Sequence, residues 1–181
     1  MAKAFDHISP AVEQFIAQQR MFFVATAPSR GDGHVNVSPK GLNGVAVLSP
    51  TRVAYLDLTG SGAETIAHLR DNGRITLMFC AFEGPANIVR VYGRGEAIPV
   101  GDPRAEALLP HFQPLPGARS VVCVDVDRVS TSCGYGVPRY RYENDRDELL
   151  RWADRKGSDL SEYWAKTNGV SVDGLPALDM P

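Results

Sequence analysis

TRVAYLDLTGSGAETIAHLRDN, residues 51–72, changes its periodicity once, and that change decides the fold. Over Arg52–Leu58, Val53, Tyr55 and Asp57 alternate with Ala54, Leu56 and Leu58. A period of two with β-branched and aromatic members predicts a strand. Thr59-Gly60-Ser61-Gly62 breaks it, and Ala63–Arg70 resumes at helical spacing, with Ile66 and Leu69 three apart. A glycine-rich turn that opens a helix offers free backbone N–H groups and the positive end of the helix dipole, a setting in which phosphate binds. Ser61 and Thr65 add hydroxyl donors. The same residues also suit an ordinary strand–helix connection with Ser61 as N-cap.

A dinucleotide fold is a competing reading. Gly60-x-Gly62-x-x-Thr65 is a degenerate G-x-G-x-x-G/A, and the strand after its helix ends near Glu83, about where a ribose-binding acid would sit. Against this, the third small residue is Thr65, the helix is short, and the β-α-β alternation stops after one unit with hairpins on both sides.

Upstream, Ser9-Pro10 opens a helix over 9–20 by placing a capping hydroxyl before a proline at the first helical position. Val12, Phe15, Ile16 and Gln19 share one face. Met21–Ala27 predicts a strand, Ser29–Gly33 a turn, and His34–Ser38 a second strand that Pro39 stops. Lys40–Gly44 reads as a loop and Val45–Leu48 as a short apolar strand. Downstream, Arg74–Phe82 and Asn87–Ile98 are strands, the second with Gly93 and Gly95 as a bulge or barrel bend. Asp102–Pro110 is a short helix capped by Asp102, and Ser120–Ser132 alternates as a strand. Asp145–Lys156 and Leu160–Lys166 read as helices, followed by an extended tail. Six or seven strands joined mostly by short turns favour an antiparallel barrel, closed rather than open, with a few peripheral helices. Residues 1–138 form this domain, and 139–181 a helical extension and tail of the same domain.

The 181 residues are 44% hydrophobic and 22% charged, with a formal net charge of −2, which suits an ordinary globular protein without global attraction for nucleic acid or an anionic membrane. No apolar run approaches spanning length. Cys80, Cys123 and Cys133 cannot all pair and form no C-x-x-C, which points to reduced thiols and a cytoplasmic location. Cys80 and Cys123 sit in apolar strands. Cys133, before Gly134, is either a structural residue or an exposed reactive thiol. His7, His34, His68 and His111 lack metal-ligand spacing, so no metal site is expected. Arg139-Tyr140-Arg141-Tyr142 suits an edge strand or dimer contact better than a surface for nucleic acid or a substrate phosphate.

The joint order GHVNVSPKG (33–41), the 51–72 segment, NGRITLMF (72–79), NIVRVYGRGEAI (87–98) and VDRVSTSCGYG (126–136) resembles the pyridoxamine 5′-phosphate oxidase-like proteins, the FMN-binding split barrels. The resemblance covers residues 20–137. It implies a split barrel, a homodimer with FMN shared at the interface, and flavin-dependent redox chemistry on a small substrate, with NADH or NADPH as a possible donor. A flavin, deazaflavin or haem carrier without turnover is the alternative. Residue by residue, it puts Ser38, Pro39, Lys40 and Gly41 along the flavin and its phosphate, and Asp57 and Leu58 at the strand end facing the ribityl chain or ring. Ser61, Gly62, Ala63, Glu64 and Thr65 lie at the turn where the oxidases carry Ser-Arg-Lys. That Arg and Lys are missing here, which leaves phosphate neutralisation to Lys40, backbone N–H groups and the Ser61 or Thr65 hydroxyl. Asn87 and Ile88 stand where the oxidases carry Arg-Gln, with Arg90 as a nearby cation. Ser132 and Cys133 match the strand that reaches the partner's flavin. No side chain is a compelling general acid or base. The oxidases' C-terminal Arg/His motif is absent from VDGLPALDMP (172–181), so true pyridoxamine 5′-phosphate oxidase activity is not expected.

Overall fold

The computed structural model describes residues 3–42 and 44–178, so Asn43 of the expected loop and the last three residues of the expected tail lie outside the described residues. Its centre is one antiparallel sheet. In chain order the strands are β1 (Lys3–Phe5), β2 (Phe22–Thr26), β3 (Asn36–Lys40), β4 (Val45–Ser49), β5 (Arg52–Leu58), β6 (Arg74–Cys80), β7 (Ile88–Pro99) and β8 (Ala118–Ser132). They lie in the order β3-β2-β6-β7-β8-β5-β4, with β1 added on β8.

β8 holds the architecture together. Its first half pairs with β5 and its second half with β1, while β7 runs along nearly its whole length. One long strand thus serves two partners on the same edge, and the sheet curls into a split barrel. Among the described residues the hydrogen-bonded path ends at β3 and β4 and does not close. This corrects the expectation of a closed barrel. Among the described residues the strands number eight, because β1 spans three residues, too few to show alternation.

Local departures have local reasons. Pro39 does not stop β3 but pairs with Phe23 inside it, and β3 covers Asn36–Lys40 rather than 34–38. An edge strand has a free side on which a missing N–H costs nothing. The bulge expected in β7 falls between Tyr92 and Gly93. A Cβ on Gly93 would stand 2.1 Å from the Asp125 carbonyl oxygen, so the close approach of β8 requires glycine there.

β5 is buried on both faces. Val53 and Tyr55 join the main core with Phe22, Leu77, Phe79, Val89 and Val91, closed at one end by Val12 and Ile16 of α1 (Pro10–Ala17). Ser9 caps α1 by accepting from Val12 N, as its sequence predicts. Ala54 and Leu56 face a second core with Ile98 and Val121, covered by α3 (Pro103–Glu106) and the residues after it. Between β5 and β6, α2 (Glu64–Asn72) is capped by Ala63 without a side-chain hydrogen bond, so Ser61 is not its N-cap. Beyond β8 come α4 (Glu148–Lys156) and α5 (Leu160–Thr167). The segment after α5 is not extended but turns back. Val170 bridges Pro176, and Ala177 packs on Ala63, Ile66 and Ala67 of the α2 region.

Candidate functional site

The end of β5 carries a carboxylate into the interior. Asp57 is 1% exposed, and two cations meet it: Lys40 Nζ donates to Oδ1 at 3.0 Å and Arg119 Nε donates to Oδ2 at 2.6 Å. Lys40 ends β3, and Arg119 lies near the start of β8, opposite the end of β5. Burial by itself pushes the Asp57 carboxyl up. The Lys40 charge and then Arg119 outweigh it and hold the group below the usual carboxylate range. Two cations thus flank one buried anion, held on fixed strand ends.

Lys40 and Arg119 line a cleft of about 390 Å³ between β3, the β5–α2 turn and α4. Ser38, Pro39, Lys40, Gly41, Leu58, Ser61, Gly62, Glu64 and Thr65 line it, so most of the residues expected near the ligand meet here. Asp57 stands behind Lys40. Ala63 is 2% exposed and packs against Ile66 and Ala177. Asn87, Ile88, Ser132 and Cys133 do not line it. They form a separate group in which Ile88 pairs with Ser132 across β7 and β8, and Arg90 Nη1 donates to Ser132 Oγ at 3.2 Å. Cys133 is exposed there. Cys80 and Cys123 are buried, and burial pushes both thiols up.

Sequence reasoning misses Arg119. Its Nη1 donates to Gly62 O at 3.0 Å and to Asn168 Oδ1 at 2.8 Å, while Nη2 has no hydrogen-bond partner among the described residues. The side chain is 5% exposed, and it lines the cleft. It brings a guanidinium to the turn whose own Arg and Lys are missing. The clue in the sequence is a lone Arg119-Ser120 pair at the head of an otherwise apolar, buried run.

A polar network lines the adjoining wall. Asn36 Nδ2 donates to Thr26 Oγ1 at 3.1 Å and Thr65 Oγ1 at 3.0 Å, and Ser38 Oγ donates to Asn36 Oδ1 at 3.1 Å. Behind it, Thr26 meets the fully buried His68 at Nδ1, 3.0 Å away. Burial, followed by the Asp57 charge, pushes the Tyr55 phenol well above its usual range, so it stays neutral. Glu64 Oε1 accepts from Val172 N at 3.0 Å, whereas its Oε2 is buried without a partner among the described residues.

A second cleft, of about 1060 Å³, shares Pro39–Leu42 and Leu149 with the first. Its other wall is the segment after β8, where Tyr140 packs on Phe82 and Arg20 lies 5.2 Å from the Tyr142 ring centroid. Tyr140, Arg141 and Tyr142 therefore border this cleft, and the Arg139–Tyr142 run is not a strand. Among the described residues no cluster of His, Cys, Asp and Glu could hold a metal ion, and no helix is long and apolar enough to cross a membrane.

An antiparallel split barrel with Lys40 and Arg119 beside a cleft at the β5–α2 turn defines a class, and comparison with known proteins agrees with it. Residues 8–133 match the family model described as pyridoxamine 5′-phosphate oxidase. A curated relative, the pyridoxamine 5′-phosphate oxidase family protein ustO of Aspergillus flavus, is 41% identical over 192 residues, covering 96% of this chain and 77% of that protein. The chain belongs to the pyridoxamine 5′-phosphate oxidase family. Among solved structures, HupZ of Group A Streptococcus is similar with a TM-score of 0.55 and 22% identity, over 69% of this chain and 99% of that one. A Lactobacillus delbrueckii protein provisionally assigned as a pyridoxamine 5′-phosphate oxidase has a TM-score of 0.54 and 23% identity, over 69% of this chain and 94% of that one. At such identities these two structures speak to the fold alone. The Rossmann reading of Gly60–Thr65 is thereby set aside, since the sheet is antiparallel throughout.

Proposed function

We propose that the protein is a cytoplasmic, homodimeric FMN-binding flavoprotein that acts as an oxidoreductase on a small substrate, with NADH or NADPH as the candidate donor. The observation that carries this is the Lys40–Asp57–Arg119 arrangement at the mouth of the β5–α2 turn. Lys40 keeps two of its three N–H donors, and Arg119 keeps Nη2, for a ligand on the cleft side. A phosphate monoester supplies the acceptors and the negative charge they require. The unpartnered Glu64 Oε2 calls for the opposite chemistry, a hydroxyl donor, which a ribityl chain carries. Leu58, Pro39 and Leu42 offer apolar surface for a ring system. The residues present therefore fit FMN.

When bound, FMN supplies the hydride and electron transfer, and the protein's part is to hold it and control access. Lys40 and Arg119 bind the phosphate, Ser38 and Asn36 present hydrogen-bonding groups along the wall, and the larger cleft beyond Pro39–Leu42 admits the substrate. Haem in the smaller cleft would find no His, Cys, Met or Tyr among its lining residues for axial ligation. Val35 and Val37, 72% and 60% exposed at the free edge of the sheet, support a second copy covering that edge.

The test is spectroscopic. Purified protein should carry the visible absorption band of an oxidised flavin, bleached anaerobically by NADH or NADPH. A band that no nicotinamide bleaches favours a carrier. Protein that neither retains nor takes up flavin defeats the proposal.

A further inference from the structure

The family match ends at residue 133, yet Leu149 of α4 lines the cleft and Asn168, beyond it, holds one of the cleft's cations. Asn168, at the C-terminal end of α5, is fully buried (0% exposed). Its Oδ1 accepts from Arg119 Nη1 at 2.8 Å, and its Nδ2 donates to Gly60 O at 3.2 Å. Its own backbone is fixed on both sides, by Asn168 N to Trp164 O and by Leu178 N to Asn168 O. One amide thus ties a β8 cation to the turn between β5 and α2, from an element that belongs to neither.

We infer that Asn168 is a positioning residue that makes the C-terminal extension part of the anion site. Arg119 has three anchored directions. Asp57 holds Nε, and Gly62 O and Asn168 Oδ1 share Nη1. A guanidinium is planar, so fixing Nε and Nη1 fixes Nη2, the group left for the cleft. Without Asn168, Nη1 keeps only the Gly62 carbonyl, and the turn loses the donor on Gly60 O. Gly62 O, the remaining hold on Nη1, then rides on a turn no longer tied to α5 through Gly60 O, so the plane is held less tightly. Trp164 anchors the same helix by a different route, through Nε1 to Thr59 Oγ1 at 2.9 Å, without touching the guanidinium. The two hydrogen bonds separate the docking of the extension from the aiming of Arg119.

The inference rests on the flavin reading, and the experiment separates the two. FMN and riboflavin are titrated into full-length wild type, Asn168→Ala and Trp164→Phe by flavin fluorescence quenching, with circular dichroism confirming the fold. Asn168→Ala should weaken FMN by about ten-fold, the scale of a single charge-assisted hydrogen bond to the phosphate. Riboflavin should stay within about two-fold of wild type. Trp164→Phe should lower thermal stability and keep the FMN-over-riboflavin preference. Wild type showing no preference for FMN would overturn the phosphate site and this inference with it. A preference present in wild type and intact in Asn168→Ala overturns the inference alone, as does an equal loss in Trp164→Phe. Should Asn168→Ala fail to fold, the near-isosteric Asn168→Leu, which fills the same volume without either hydrogen bond, makes the same test, and an unchanged FMN preference then overturns the inference just the same.

Discussion

Arg119 Nε and Asp57 Oδ2 meet at 2.6 Å with both side chains almost wholly out of water, and Lys40 takes the other carboxylate oxygen from the cleft side. A buried ion pair contributes little net stability when its desolvation is counted, but removing one partner strands the others. What the arrangement secures is direction. It holds two cations at one end of a cleft in a chain whose overall charge is slightly negative.

Lys40→Ala removes a charge-assisted hydrogen bond worth roughly 1.5–3 kcal/mol to a bound phosphate. FMN affinity should fall by about ten- to a hundred-fold while riboflavin changes little. Fluorescence quenching with both ligands reads this directly, and an intact FMN preference would place the phosphate elsewhere.

Asp57→Ala leaves Arg119 buried and uncompensated, and should cost about 3–5 kcal/mol of folding stability, measured by urea denaturation at neutral pH. A gain in stability would show that the carboxylate is not the anchor of the two cations.

The same carboxylate sets a pH dependence. Asp57 titrates below its ordinary range when folded, so the unfolded chain binds more protons across the interval between the two values. Its contribution is present above the ordinary carboxylate value of about 4 and is lost as pH falls through the lower folded value. Denaturation midpoints of wild type should therefore drop on acidification below about pH 4 more steeply than those of Asp57→Asn. Parallel curves would assign the acid sensitivity to other groups.

Gly93→Val drives a side chain into the Asp125 carbonyl at the β7–β8 bulge, and should destabilise the barrel by about 2–4 kcal/mol. A thermal melt within a degree or two of wild type would show that the bulge relaxes freely.

Val37→Asp places a charge on the exposed sheet edge and should shift light scattering from dimer to monomer, with loss of flavin if the site is shared. A wild-type monomer that retains flavin would defeat both the dimer and the shared site.

Much of this is legible in residues 51–72, because strand and helix periodicities are local and the chain writes them within a few residues. β5, the glycine turn, α2, the β7 bulge and the Ser9 cap of α1 all follow from neighbours in sequence. Lys40 stands out because a cation after Ser38-Pro39 matches a known order of segments. Tertiary structure alone decides the rest. The barrel stays split because β8 exchanges β5 for β1 along its length, a pairing that no local pattern encodes. Pro39 sits inside a strand because that strand is an edge. Arg119 reaches Asp57 and Gly62 from 62 and 57 residues away along the chain, and Asn168 reaches Gly60 from 108. A buried cation must find its partners wherever folding brings acceptors together, and sequence separation carries no record of that distance.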